Sequence, residues 1–291
     1  MSTTLPLFWK LSSASKKDRV DASVKLVSAL EQFQALHVPQ SRSDGSDNEG
    51  GDGLDALNSQ DVSYSIRRLV RGLASPRESS RLGFSVALTE VCPCPSTGNT
   101  NATHLSSQLL SRIETVSCAQ VLALIVDSTK KQGSMNGQEE RDVLFARLFG
   151  IAAVVRSGLL VRQKPLPSTS SNAPVSSLEA YESVLTYLLE IGEAKSWLRE
   201  SAWWTIGLAI DAVQSSSVPW KAEALASTIK ILYSKDEDSF WTPEKVAITL
   251  KLQPLTPNHD WDTSLAPVFK GQNIFAPNNL LSLGRILKVS P

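Results

Sequence analysis

This sequence predicts an all-α fold, an α-solenoid of stacked helix pairs with no significant sheet. Three observations predict it. Apolar residues return every three or four positions through stretches of about 12 to 20 residues, which gives each stretch one broad apolar face. Helix-start signals stand ahead of several stretches: Ser75-Pro76-Arg77-Glu78 and Thr242-Pro243-Glu244 each put a capping hydroxyl before a proline and an acid. No sustained period-two alternation flanked by hairpin turns occurs. No exact repeat is visible either, so the stacked pairs are expected to be degenerate repeats.

The elements follow in chain order. Val20, Val24, Val27, Leu30 and Phe33 make one face of a helix over 16–36. Residues 41–60 carry five acids and four glycines with little apolar content, which reads as a solvated acidic loop; Ser43 and Ser46 beside those acids are its candidate phosphorylation sites. Ile66, Leu69, Val70 and Leu73 define the next helix. Gly72 and Ala74 end it, glycine serving as the residue that tolerates a left-handed helix end. The following helix is expected to start at Ser75, with Pro76 in its first turn and Glu78 closing a capping box. Leu82, Phe84, Val86, Ala87 and Leu88 bury it on most sides.

Residues 93–103 read as a loop, 107–112 and 119–129 as helices, and 130–137 as a loop. The stretch 138–155 is a long core helix stopped by Gly158. Its first turn holds Glu139, Glu140 and Asp142, placed where acids complement the positive end of the helix dipole. A Pro- and Ser-rich loop spans 164–176. Helices are expected over 177–191, 197–214, 219–234 and 243–252, and a short one near 279–287 in a turn-rich tail. Three segments result: an N-terminal helical segment at 1–40, the acidic loop at 41–60, and a helical array over 61–291 with a loop insertion at 164–176. The array is expected to continue past Pro291.

Composition narrows the function classes. The 291 residues are 42% hydrophobic and 20% charged, ordinary for a globular protein. Lys plus Arg equals Asp plus Glu at 29 each, so a whole-chain basic footprint for nucleic acid is absent and only local patches remain. Three cysteines make no disulfide framework. No apolar run of about 18 residues exists, so no membrane partner is expected. The phosphate-cradling patterns GxxxxGK[ST] and GxGxxG are missing, so no nucleotide cofactor or small-molecule substrate is expected.

Candidate chemistry is sparse. Cys92, Cys94, His104 and Cys118 have a C-x-C spacing that fits no common zinc pattern, and Cys118 reads better as a small core residue. His37 and His259 are isolated and read as solvated loop residues. Glu139 and Glu140 point about 100° apart on a helix and cannot share one metal pair, so the acids read as helix starters. No catalytic residue, cofactor or metal ligand is assigned. Trp203 and Trp204 are neighbours on a helix, so at most one reaches the centre of the core. The best functional candidates are Arg67, Arg68, Arg71, Arg77 and Arg81, a basic rim on the helix corner. Arg67 and Arg71 share a face, as do Arg77 and Arg81. Together they suit a nucleic-acid backbone or an acidic partner, with intramolecular pairing as the plain alternative. No aromatics interleave with them in sequence, so base stacking is not indicated.

Several segments resemble the Myb-binding protein 1A family, whose yeast member was named DNA polymerase V or phi. These are LPLFWKL at 5–11, YSIRRLVRGLASPRESSRLGFSVALTE at 64–90, GQEERDVLFARLFGIAAVVRSGLL at 137–160, SWLRE at 196–200 and TPEKVAITLKLQ at 242–253. The resemblance keeps the family's order and departs at 41–60 and 164–176. It implies an armadillo- or HEAT-like helical array. It implies a nuclear, nucleolar protein acting in ribosomal DNA transcription, rRNA production and ribosome biogenesis. The implied partners are transcription factors, pre-ribosome components, and ribosomal DNA or pre-rRNA. DNA-directed DNA polymerase activity is the alternative that the family's name carries.

Overall fold

The computed structural model describes residues 4–37, 54–88, 113, 115–130, 133–166, 175–233 and 241–288. The acidic stretch 41–53, Ser43, Ser46, Cys92, Cys94, His104, the expected helix over 107–112 and most of the loop insertion lie outside the described residues. Among the described residues there are helices, short 3-10 turns and no strand. No described helix is long and apolar enough to cross a membrane. The chain divides into two compact units, Met1–Ala180 and Tyr181–Pro291.

The first unit opens with α1 (Leu5–Leu11) and α2 (Lys16–Ala35). Ser15 caps α2, its hydroxyl accepting from the Asp18 amide at 3.3 Å. The buried face of α2 is Ala22, Ser23, Leu26, Val27 and Leu30. Val20, Val24 and Phe33 are only half-buried, so the face is rotated from the one expected. Gln34 at the far end donates to the Leu57 carbonyl and accepts from the Ser59 amide, at 2.9 and 3.0 Å. Ser59 in turn caps α3 (Gln60–Gly72) through the Val62 amide.

Next comes α4 (Glu78–Leu88), which starts two residues later than Pro76 suggested. Ser75 Oγ accepts from the Arg77 amide across the turn instead of capping the helix. Gly72 is not left-handed. Its role is close packing: a Cβ there would stand 2.6 Å from the Phe84 ring of α4. Gly83 is tighter still, since a Cβ would fall 1.8 Å from the carbonyl oxygen of Leu11. So α4 crosses the end of α1 at backbone contact, and glycine is the residue that permits it.

Two more helices complete the first unit. Ser117 and Gln120 form a capping box on α5 (Cys118–Ser128), and Asn136 and Glu139 form one on α6 (Gly137–Arg156). Gly150 of α6 lies against Ile125 of α5, and Gly158, at φ 73°, ends the helix as expected. Helices α3 and α4 both pack on α6, and α1 and α2 pack on α4.

The second unit contains most of α7 (Leu178–Ala194), then α8 (Ser196–Ser215), α9 (Lys221–Tyr233), α10 (Pro243–Leu252), α11 (Trp261–Leu265) and α12 (Leu280–Lys288). Thr242 caps α10 through the Lys245 amide with Pro243 in the first turn, as expected. Helices α9 and α10 both pack on α8. An aromatic cluster closes this unit: Tyr233 meets Trp261 edge-on at 5.6 Å, and Trp241 meets Phe269 edge-on at 5.2 Å. The Lys245 ammonium lies over the Tyr233 and Trp241 rings at 5.1 and 5.0 Å. His259 joins this cluster, 4.8 Å from the Trp261 ring and bonded to Ser264, and is not a solvated loop residue. Helix α11 had no sequence signal strong enough to be expected.

Two outcomes follow. Gly83→Ala should destabilise the chain by about 3 kcal/mol or prevent folding, because the added carbon overpacks against backbone. Gly284→Ala, whose Cβ meets nothing, should stabilise by about 0.5 kcal/mol. Urea unfolding of the two variants checks both. Burial pushes the Cys118 thiol from 9.0 to about 12 and Tyr181 from 10.0 to about 12, and raises Tyr233. The fold keeps these protons while the unfolded chain releases them, so stability should fall as pH climbs past 9 to 10. Lys245, lowered by burial, opposes this as a single group. Unfolding midpoints across pH 8 to 11 should decline accordingly.

Candidate functional site

The five arginines have distinct fates, decided by helix phase and by neighbours distant in sequence. Arg81 turns inward and is 8% exposed. Its guanidinium donates to Asp142 at 2.9 Å and to the Ser75 carbonyl at 2.8 Å, and lies 5.2 Å from the Phe145 ring. It is therefore withdrawn from any surface rim. Asp142 is equally buried and also accepts from Gln138. The acids of the first turn are Glu139 and Glu140; Asp142 lies beyond it, in this buried pair and not among the helix starters where the sequence had put it. Its partner lies 61 residues away, which spacing alone cannot reveal.

Arg67 stays half-exposed and grips Asp55 with two bonds of 3.1 and 2.7 Å. Asp55 sits on the 3-10 turn Leu54–Ala56 just ahead of α3. The Arg67 hydrogen bonds hold its carboxyl below the usual 3.8, against a smaller opposing push from burial. A lowered folded pKa contributes stability above the unfolded value and loses it as pH falls through the folded one. With the Asp55 side chain 66% exposed, solvent screens most of that contribution.

Arg68 is layered on aromatic rings, 4.8 Å from the Phe8 centroid and 5.9 Å from Tyr64, and donates to the Tyr64 hydroxyl at 2.7 Å. Aromatics do interleave with the arginines after all. Phe8 arrives from α1, and Tyr64 stands one helical turn before Arg68, a spacing the sequence carried. Arg71 and Arg77 are exposed.

An open groove of about 670 Å³ lies at this face of α3, lined by Tyr64, Arg67, Arg68 and Arg71 of the helix together with His37 and Asp55. Among the described residues that line it, three arginines stand against one carboxylate, a cationic balance. It suits a phosphate backbone or an acidic peptide. Trp203 is buried and Trp204 is 55% exposed, so one of the pair reaches the core. Among the described residues no three His, Cys, Asp or Glu side chains gather to hold a metal ion.

The DNA polymerase phi family model matches residues 64–290, from the start of the arginine face to the end of the second unit. The chain belongs to this family. It is 26% identical over 286 residues to the rDNA transcriptional regulator pol5 of Schizosaccharomyces pombe, covering 98% of this chain and 24% of that relative. It is 27% identical over 296 residues to the rDNA transcriptional regulator POL5 of Saccharomyces cerevisiae, covering 98% of this chain and 25% of that one. Myb-binding protein 1A of Rattus norvegicus is 28% identical over 160 residues, 55% of this chain and 9% of its own length. The chain thus spans about a quarter of the length of the yeast relatives. No solved structure matches it.

Arg81→Met should cost about 3–5 kcal/mol, because it leaves Asp142 buried without its cation. The double variant Arg81→Met with Asp142→Leu should recover part of that loss. Thermal unfolding of the single and double variants reads the difference.

Proposed function

We propose that this chain is a non-enzymatic, armadillo- or HEAT-like segment of a nucleolar scaffold. It acts in ribosomal DNA transcription, rRNA production and ribosome biogenesis, and regulates transcription by holding nuclear proteins. The arginine groove on α3 is its contact surface, taking the phosphate backbone of ribosomal DNA or pre-rRNA, or an acidic stretch of a partner. The observation that carries the reading is this open groove, whose three arginines lie on the part of α3 that the family model covers. The names of the yeast relatives, as regulators of rDNA transcription, supply the biological setting.

The non-enzymatic reading draws on how the acids are used. A nucleotidyl transferase needs carboxylates converging on two metal ions. Here Glu139 closes a capping box and Asp142 sits in a buried ion pair. Both are committed to holding helices. Primer extension by the intact protein, abolished by Glu139→Ala with Glu140→Ala, would replace this reading with a polymerase.

The test is crosslinking of the intact nuclear protein to RNA, DNA and protein. Arg71→Glu with Arg77→Glu reverses the exposed charge of the groove and one on the turn beyond α3, and leaves the packed arginines in place. Recovered crosslinks should fall about tenfold, and the salt slope of binding should drop by about one per lost phosphate contact. Unchanged recovery with an unchanged slope would remove the groove as the contact surface.

A further inference from the structure

A second groove lies within the second unit, between α8 and α10, and encloses about 290 Å³. Its base is apolar. Gly207 lets the helices close together, since a Cβ there would stand 3.3 Å from Ile248 Cδ1. Trp204 lines the groove yet remains 55% exposed, a large ring presented to water on a rigid helix. Among the described residues that line it, three carboxyl groups, Glu200, Asp211 and Glu244, stand against the ammonium of Lys251. Lys251 is already bonded to Asp211 at 2.5 Å. Glu244 is the informative residue: its Oε2 is shut from water and accepts no hydrogen bond from any described residue. A buried carboxyl oxygen without a donor is costly, and a cation seated in the groove beside the half-buried Glu244 side chain offsets its charge.

We propose that this groove seats a basic amphipathic helix of a partner protein. An aliphatic side chain of that helix packs on Trp204, and a Lys or Arg one turn away reaches Glu244 and Glu200. The cavity is small for a cofactor and right for one or two anchoring side chains. The acid excess repels phosphate, so nucleic acid does not fit here. The occupant is thus opposite in charge to the one proposed for the arginine groove, and the two readings stand independently.

The probe is a short fluorescent peptide carrying Lys and Leu at i, i+4 spacing, titrated against the full chain and read by anisotropy. One control replaces each Lys with Glu, and another replaces each Leu with Ser. The Lys–Leu peptide should bind, and both controls should bind about tenfold more weakly or less. Trp204→Ala and Glu244→Gln should each weaken binding severalfold. Trp197→Ala, exposed and outside the groove, should leave it unchanged. Added salt should lower the affinity. Failure of the Lys–Leu peptide to bind overturns the proposal, as does equal binding of the Glu–Leu peptide or indifference to Trp204→Ala. Competition by an oligonucleotide would assign the groove to nucleic acid. A dimer in gel filtration that Trp204→Ala dissociates would assign it to a second copy of this chain.

Discussion

The buried ion pair between Arg81 and Asp142 is the interaction on which the first unit depends. It joins α4 to α6 across a gap of 61 residues, and the same guanidinium holds the Ser75 carbonyl of the preceding turn. Two charges removed from water are tolerable only when each is fully met. Here Arg81 also faces the Phe145 ring and Asp142 also accepts from Gln138. The pair therefore sets the register of α4 against α6. Just beyond it, Gly83 brings α4 against the Leu11 carbonyl, so α1 is fixed by the same helix.

That arrangement prepares the arginine groove. With α1 seated on α4, Phe8 comes under Arg68 and gives its guanidinium a ring to lie on. With the 3-10 turn Leu54–Ala56 bonded back to α3, Asp55 holds Arg67 in a bidentate grip. A guanidinium already ordered loses less freedom when it meets a phosphate or carboxylate. The groove is therefore a preorganised surface with Arg71 exposed beside two anchored neighbours. Elsewhere in the unit, Glu139 serves in a helix cap and Asp142 as an ion-pair partner.

Much of the fold was legible in the sequence. The helices 16–36, 138–155, 197–214 and 243–252 were readable to within a residue or two, because periodicity and caps are local properties. The stop at Gly158 and the core place of Cys118 were equally plain. Failures came where a distant contact overrode a local signal. Ser75-Pro76-Arg77-Glu78 has the composition of a helix start, yet Ser75 is drawn into the turn and its carbonyl into the Arg81 bond. Gly72 does end α3, but without the left-handed turn its composition suggested, because it packs against Phe84.

The sequence by itself determined the all-α class, most helix limits and the family, since each rests on residues within a few positions of one another. It also marked Arg67, Arg68, Arg71, Arg77 and Arg81 as a group, since composition and helical spacing need no third dimension. Only the tertiary structure decided which of them meet solvent. The Arg81–Asp142 pair and the Phe8 ring under Arg68 are set by partners tens of residues away, and no local pattern encodes them. For that reason Arg81 became a core strut, Arg67 and Arg68 became anchored walls, and Arg71 and Arg77 were left facing water.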